Sequence, residues 1–272
     1  MTKTRNLHTL SSLGFVLLLF MPGVAAVKAQ QPFITDNADV TDRKKFHFQL
    51  GNEFDILQRS AYPSLRQNTT VFELDYGLWN GVEIGVDGPL IAISNSGITT
   101  PKSVFGFGDL DFHLKYNFLR ERESSRLPAL TATVNVELPT GNASKQLGSG
   151  VMDVFLNGIL QKSLTKKTVA RLNGGVLFSG NTTTGEIGIK SRGKVFVGGA
   201  SLVKQITQKL DLGAELTGAL TNSLKLSKGQ LQTQIGGNYQ FQKNASFDFG
   251  IVGGKFAASP RVGVQLGISV DW

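Results

Sequence analysis

Apolar and polar residues alternate one for one along most of the chain. At its C-terminal end Val262, Val264, Leu266, Ile268, Val270 and Trp272 interleave with Gly263, Gln265, Gly267, Ser269 and Asp271. Leu210, Leu212, Ala214 and Leu216 interleave with Asp211, Gly213, Glu215 and Thr217 in the same way, and Leu130 to Leu138 repeats the pattern. A period of two marks a strand with one apolar and one polar face. About twelve such segments follow one another, near 44–56, 69–79, 82–93, 109–119, 128–138, 151–164, 168–179, 194–206, 210–220, 230–241, 245–256 and 262–272. They are about twice the five or six residues of a usual soluble strand. A strand tilted by about 45° needs roughly 9–11 residues to cross a bilayer.

The connections alternate in length. Asn80-Gly81, 165–167, 207–209 and 242–244 are tight polar turns, and 120–127 is the longer member of that set. Between them lie the longer loops 57–68, 94–108, 139–150, 180–193 and 221–229, with 257–261 as their short member. An even strand count with short turns on one side and long loops on the other predicts an all-β chain. Its expected fold is a transmembrane antiparallel up-and-down β-barrel of about twelve strands. A lipocalin-like barrel or a sandwich also alternates, with its apolar face inward. Strand number, strand length, loop asymmetry and the aromatic C-terminus favour the membrane form. Trp272 then reads as the assembly signal for the barrel insertion machinery.

The N-terminus falls outside this pattern. Lys3 and Arg5 precede an apolar run from Leu13 to Met21, the layout of a cleaved signal peptide, with cleavage expected after Ala29. The expected division is a leader over 1–29, a periplasmic segment or lumen plug over 30–43, and a barrel over 44–272. The chain has no Cys, so an exported form relies on no disulfide. Removing residues 1–29 takes away Lys3, Arg5 and Lys28 and lowers the net charge from +8 to 8 − 3 = +5. No block of Lys or Arg accompanies that excess, which argues against a nucleic-acid partner. The expected surroundings are outer-membrane lipid and a small-molecule solute.

Candidate chemistry concentrates on the polar faces. Glu53, Asp55, Glu73, Asp75, Glu83, Asp87, Asp109 and Asp111 come from four successive strands and are expected to line the lumen. His113, Lys115, Glu137, Asp153, Arg171, Asp211, Glu215 and Asp248 continue the wall. Such a wall favours cations or polar solutes over anions. The alternative is a mutually satisfied polar wall, with Lys115 and Arg171 bridging carboxylates across strands. Asp109, Asp111 and His113 cannot share one ion along their strand, because same-face neighbours stand about 6.6–6.8 Å apart. Metal donors lie within about 2.0–2.6 Å of their ion. Two neighbours of the row could share a Ca²⁺ only with a residue of another strand; no metal site is assigned, passive transport calls for no cofactor, and spacing gives no reason to pair His47 with His113. No Gly-x-Ser-x-Gly elbow is present, and Gly148-Ser149-Gly150 has the wrong spacing, so no catalytic residue is assigned. Passive transport is the expected function. A barrel hydrolase and a plugged structural or adhesive barrel are the alternatives.

Three short motifs occur in a familiar order: Pro32-Phe-Ile-Thr-Asp-Asn-Ala-Asp39, Gly106-Phe-Gly-Asp-Leu-Asp111 and Glu137-Leu-Pro-Thr-Gly-Asn142. In these the chain resembles the "MetA-pathway of phenol degradation" proteins, a group of outer-membrane barrel transporters. The resemblance spans roughly 32–272. It implies an outer-membrane location and a channel for aromatic or other hydrophobic compounds.

Overall fold

The period-two segments form antiparallel strands in the computed structural model, which describes residues 32–97, 99–122, 126–179, 187, 193–221 and 229–272. The expected leader over 1–29 and most of the 180–193 and 221–229 loops lie outside the described residues. The strands are β1 (Phe46–Ile56), β2 (Arg66–Trp79), β3 (Val82–Ser94), β4 (Val104–Phe107), β5 (Leu110–Leu119), β6 (Ala129–Leu138) and β7 (Asp153–Thr165). They continue as β8 (Thr168–Ser179), β9 (Gly193–Gln205), β10 (Leu210–Thr221), β11 (Gln230–Gln242), β12 (Ala245–Gly254) and β13 (Val262–Asp271). Apart from β4 and β5, which both pair with β3, successive strands pair antiparallel, and β1 closes the ring on β13 from His47↔Asp271 to Ile56↔Val262. Every strand except the short β4, which pairs with β3 alone, thereby has a partner on both sides, the condition for strands to span hydrocarbon.

β4 and β5 are two halves of one stave, so the barrel has twelve staves and one extra strand by count. Both halves pair with β3, as Leu90↔Phe107 and Asp87↔Asp111 bracket the break. Between these pairs Gly108, Asp109 and Leu110 stand opposite Gly88 and Pro89, the one-residue excess of a β-bulge. Pro89 has no N–H to give the ladder, and its carbonyl accepts the Gly108 N–H at 2.8 Å. The loop expected over 94–108 is therefore shorter, because β4 carries the wall on to Val104.

The faces are inverted relative to a soluble core. Phe72, Leu74, Phe112, Leu114, Leu156, Leu202, Leu216 and Leu266 are exposed on the outside, while Asp75, Lys115, Thr217 and Gln234 between them are buried. Apolar residues packed away from the surface gather instead at the long-loop end, around Leu57, Leu65, Ile91, Ile93, Val104 and Leu147. At the short-turn end Phe46 packs on Tyr76 and Trp272, with ring centroids 4.8 and 5.7 Å apart. The Phe46 and Trp272 backbones exchange hydrogen bonds of 2.9 and 3.1 Å, so the C-terminal residue sits on the seam of the barrel.

Candidate functional site

The segment that precedes β1 runs along the inside of the wall. The Pro32 carbonyl accepts a hydrogen bond from the Gln234 amide on β11. Glu215 on β10 accepts from the Ile34 N–H, the Thr35 N–H and the Thr35 hydroxyl at 3.0, 2.8 and 2.8 Å. The Ala38 N–H donates to Gln161 on β7, and the Ala38 carbonyl accepts from Thr131 on β6 and Asn117 on β5, each at 2.6 Å. Lys115 on β5 pairs with Asp36 at 2.9 Å, and the Thr41 N–H donates to Glu83 on β3 at 2.5 Å. Arg43 bridges to Gly77 on β2 as the chain leaves at the short-turn end. Ten residues thus touch β11, β10, β7, β6, β5 and β3 in turn, and the first of the three sequence motifs, Pro32 to Asp39, lies in this inner segment. A cavity of about 240 Å³ opens beside its start, lined by Pro32, Phe33 and Ile34 on one side and by Gln49, Asn52, Glu53, Glu73 and Gln265 on the other.

The register stacks the expected wall residues in rows. Glu73, Asp87, Asp111, Glu137 and Asp153 stand directly opposite one another across β2, β3, β5, β6 and β7. Like charges placed directly opposite repel, so this row is not a stabilising feature of the sheet by itself. One step toward the short turns the row reads His47, Asp75, Gly85, His113 and Asn135. The register thus places His47 and His113, which sequence spacing left unrelated, in one row on either side of Asp75 and Gly85. The next step pairs Glu83 with Lys115.

Not every carboxylate of the polar faces is open to the bore. The bulge turns Asp109 onto the β6–β7 loop, where it accepts from the Gly141 N–H at 2.8 Å and the Ser149 N–H at 2.5 Å. Thr140 accepts from the Leu110 N–H and donates to the Gly108 carbonyl. The second and third sequence motifs, at 106–111 and 137–142, therefore meet as one bonded unit. The Ser149 hydroxyl donates to the Val151 carbonyl at 2.6 Å and shapes the same loop. Lys115 bonds Asp36 of the inner segment rather than a carboxylate of a neighbouring strand, and the Arg171 Nε donates to Gln161. Glu53, Asp55, Asp211, Glu215 and Asp248 stand on the polar faces of their strands. Asp248 accepts from Asn238 and Ser269 at 2.6 and 2.8 Å. Charge alone did not single out Asn117, Thr131, Gln161 and Gln234, the neutral residues that hold the segment. Their one signal in the sequence is their place on the same alternating faces.

A closed barrel with lipid-type residues outside, polar residues inside and staves of ten residues or more is the architecture of outer-membrane β-barrel proteins. A solved outer membrane channel from Pseudomonas putida F1 shares this fold at a TM-score of 0.65 and 15% identity, over 87% of this chain and 98% of that one. The NanC porin (TM-score 0.55, 8% identity) and the KdgM porin in complex with oligogalacturonate (0.53, 10%) each match 82% of this chain and 98% of their own. No curated protein sequence matches. The family model described as "Putative MetA-pathway of phenol degradation" matches residues 33–271, and the chain belongs to that family.

Proposed function

We propose that this protein is a passive outer-membrane channel for small solutes whose bore is narrowed by its own segment 32–43. The observation that carries the reading is the path of that segment, bonded inside a closed barrel from β11 to β3. Twelve staves enclose more room than the filled eight-stranded barrels and less than the 16–18-stranded porins, so one inner segment is enough to set the bore. Membership of the phenol-degradation family and the Phe33 and Ile34 edge of the inner cavity support aromatic or other hydrophobic compounds as the solute. Porins and an outer membrane channel with the same fold support passage without a chemical step.

Planar-bilayer recordings test this. The intact mature chain is expected to give small, steady conductance, and a chain lacking residues 32–43 is expected to give a larger one. A folded barrel that conducts no ions even without the segment overturns the reading.

A further inference from the structure

Distance along one strand excludes a shared ion, but the register assembles from three strands what one strand cannot. Asp75 on β2 and His113 on β5 lie directly opposite Gly85 on the strand between them. Because residue 85 has no side chain, the two reach across β3 and meet above it. A Cβ built on Gly85 falls 2.1 Å from the Asp75 Oδ1 and 2.4 Å from the His113 Nε2. These two atoms are 3.1 Å apart. Asp75 is only 2% exposed, and its Oδ1 accepts no well-formed hydrogen bond beyond this contact with the imidazole, whose Nε2 also lies 3.9 Å from the Glu83 Oε1.

Donor atoms from Glu73, Asp75 and His113 all lie within 4.8 Å of one another, and so do donors from Asp87, Asp111 and His113. Two donors of one ion are at most about 4.2 Å apart, twice a bond of 2.0–2.1 Å. A small side-chain rotation therefore brings the first trio onto a common centre. Its Asp75–His113 spacing already suits two ligands of one ion. The second trio places two further carboxylates at the edge of that centre.

We propose that Asp75, His113 and Glu73 form a binding site for a divalent transition-metal cation of the Zn²⁺ type on the inner wall. A bare acidic cluster would not justify this; the buried Asp75 oxygen does, since its one contact of this kind is an imidazole nitrogen, a second metal-donor atom, brought to 3.1 Å over a glycine. Mixed imidazole and carboxylate donors suit first-row divalent metals, whereas Ca²⁺ and Mg²⁺ prefer oxygen alone. A bound cation also offsets the repulsion along the row of carboxylates one step away. The site stands on the geometry of the wall and not on conduction, so it and the channel reading can fail separately.

The test is calorimetric titration of Zn²⁺ into the chelator-treated full-length barrel in detergent micelles, with Ca²⁺ and Mg²⁺ in parallel. Saturable Zn²⁺ binding is expected, tighter than that of Ca²⁺ or Mg²⁺. His113→Ala and Asp75→Asn are each expected to weaken it at least ~10-fold, since loss of an outer partner alone costs ~10–100-fold. Asp211→Asn, on a distant strand, is expected to leave it unchanged. Imidazole ¹⁵N NMR of the wild-type protein gives a readout that needs no variant, with a His113 Nε2 shift expected on adding Zn²⁺. Absence of saturable Zn²⁺ binding, an unmoved His113 resonance, or binding that a folded His113→Ala or His113→Gln barrel retains in full overturns the proposal.

Discussion

Asp109 does at the residue scale what strand alternation alone does not foretell. Its place on the polar face marks it as a lumen residue, but the bulge redirects it, and its carboxylate ties the Gly141 and Ser149 N–H groups of the following loop. Hydrogen bonds to a charged group contribute about 1.5–3 kcal/mol each. Asp109→Ala is therefore expected to loosen residues 141–150 while the barrel stays folded, which limited proteolysis reports as faster cleavage in that loop. Lys115 is the other decisive residue. Its side chain is 5% exposed and faces Asp36 at 2.9 Å. Removing one partner of a buried pair costs about 3–5 kcal/mol. Lys115→Met is expected to fall near the low end, because Asp36 regains water when the segment lifts. Trypsin cleavage after Arg43 or Lys44 should then accelerate. That Lys115 carries a charge on a polar face was legible in the sequence. That its partner lies 79 residues away on the inner segment was not, because only closure of the ring brings the two together.

Among the elements, the inner segment and the 120–127 link illustrate two kinds of anchoring. A Cβ added at Gly199 on β9 would lie 2.6 Å from the Thr35 methyl. Gly199→Val is therefore expected to push Thr35 off Glu215 and raise conductance toward that of the chain without the segment. The link is held by one carboxylate. Lys162 donates to Glu121 at 2.7 Å, and the Ser163 N–H and hydroxyl donate at 2.9 and 3.0 Å. Partial burial alone would raise the pKa of Glu121, but the bonds from Lys162 and Ser163 outweigh it and hold it below the ordinary carboxylate value of 4.5. A depressed carboxylate stabilises the fold above its unfolded pKa and loses that contribution as pH falls through the folded value. Hydrogen exchange at the Ser163 amide, corrected for intrinsic rate, is expected to speed up only below about pH 4.5. Strand bounds came out of the sequence to within a few residues at nearly every stave. The exception was β4, whose separation from β5 depends on a bulge opposite Pro89 that period-two counting does not register.

For the molecule as a whole, the inverted faces set both stability and location. Leu216 is half exposed at the middle of β10, among residues of the outer belt. Arg or Lys at the midplane of a barrel's lipid face costs about 2–4 kcal/mol. Leu216→Arg is expected to lower unfolding stability in lipid by that order, measured by denaturant titration in vesicles, and to have far less effect in detergent micelles. The glycines at 158, 174, 198 and 218 lie opposite one another on the outer face across β7, β8, β9 and β10.

Fold class, strand order and the polar face of each strand were all legible in the chain, because they follow from a local period of two and from turn lengths. The three motifs stood out through their resemblance to one family, which needs no coordinates. Which polar residues meet emerged only with the folded barrel. Asp75 and His113 are joined through Gly85, the second and third motifs lock through Asp109, and the first motif lies along the inner wall. Register between strands and the path of a segment inside the ring are set by closure of the whole sheet. A periodicity repeated on every strand leaves both undefined until the ring closes.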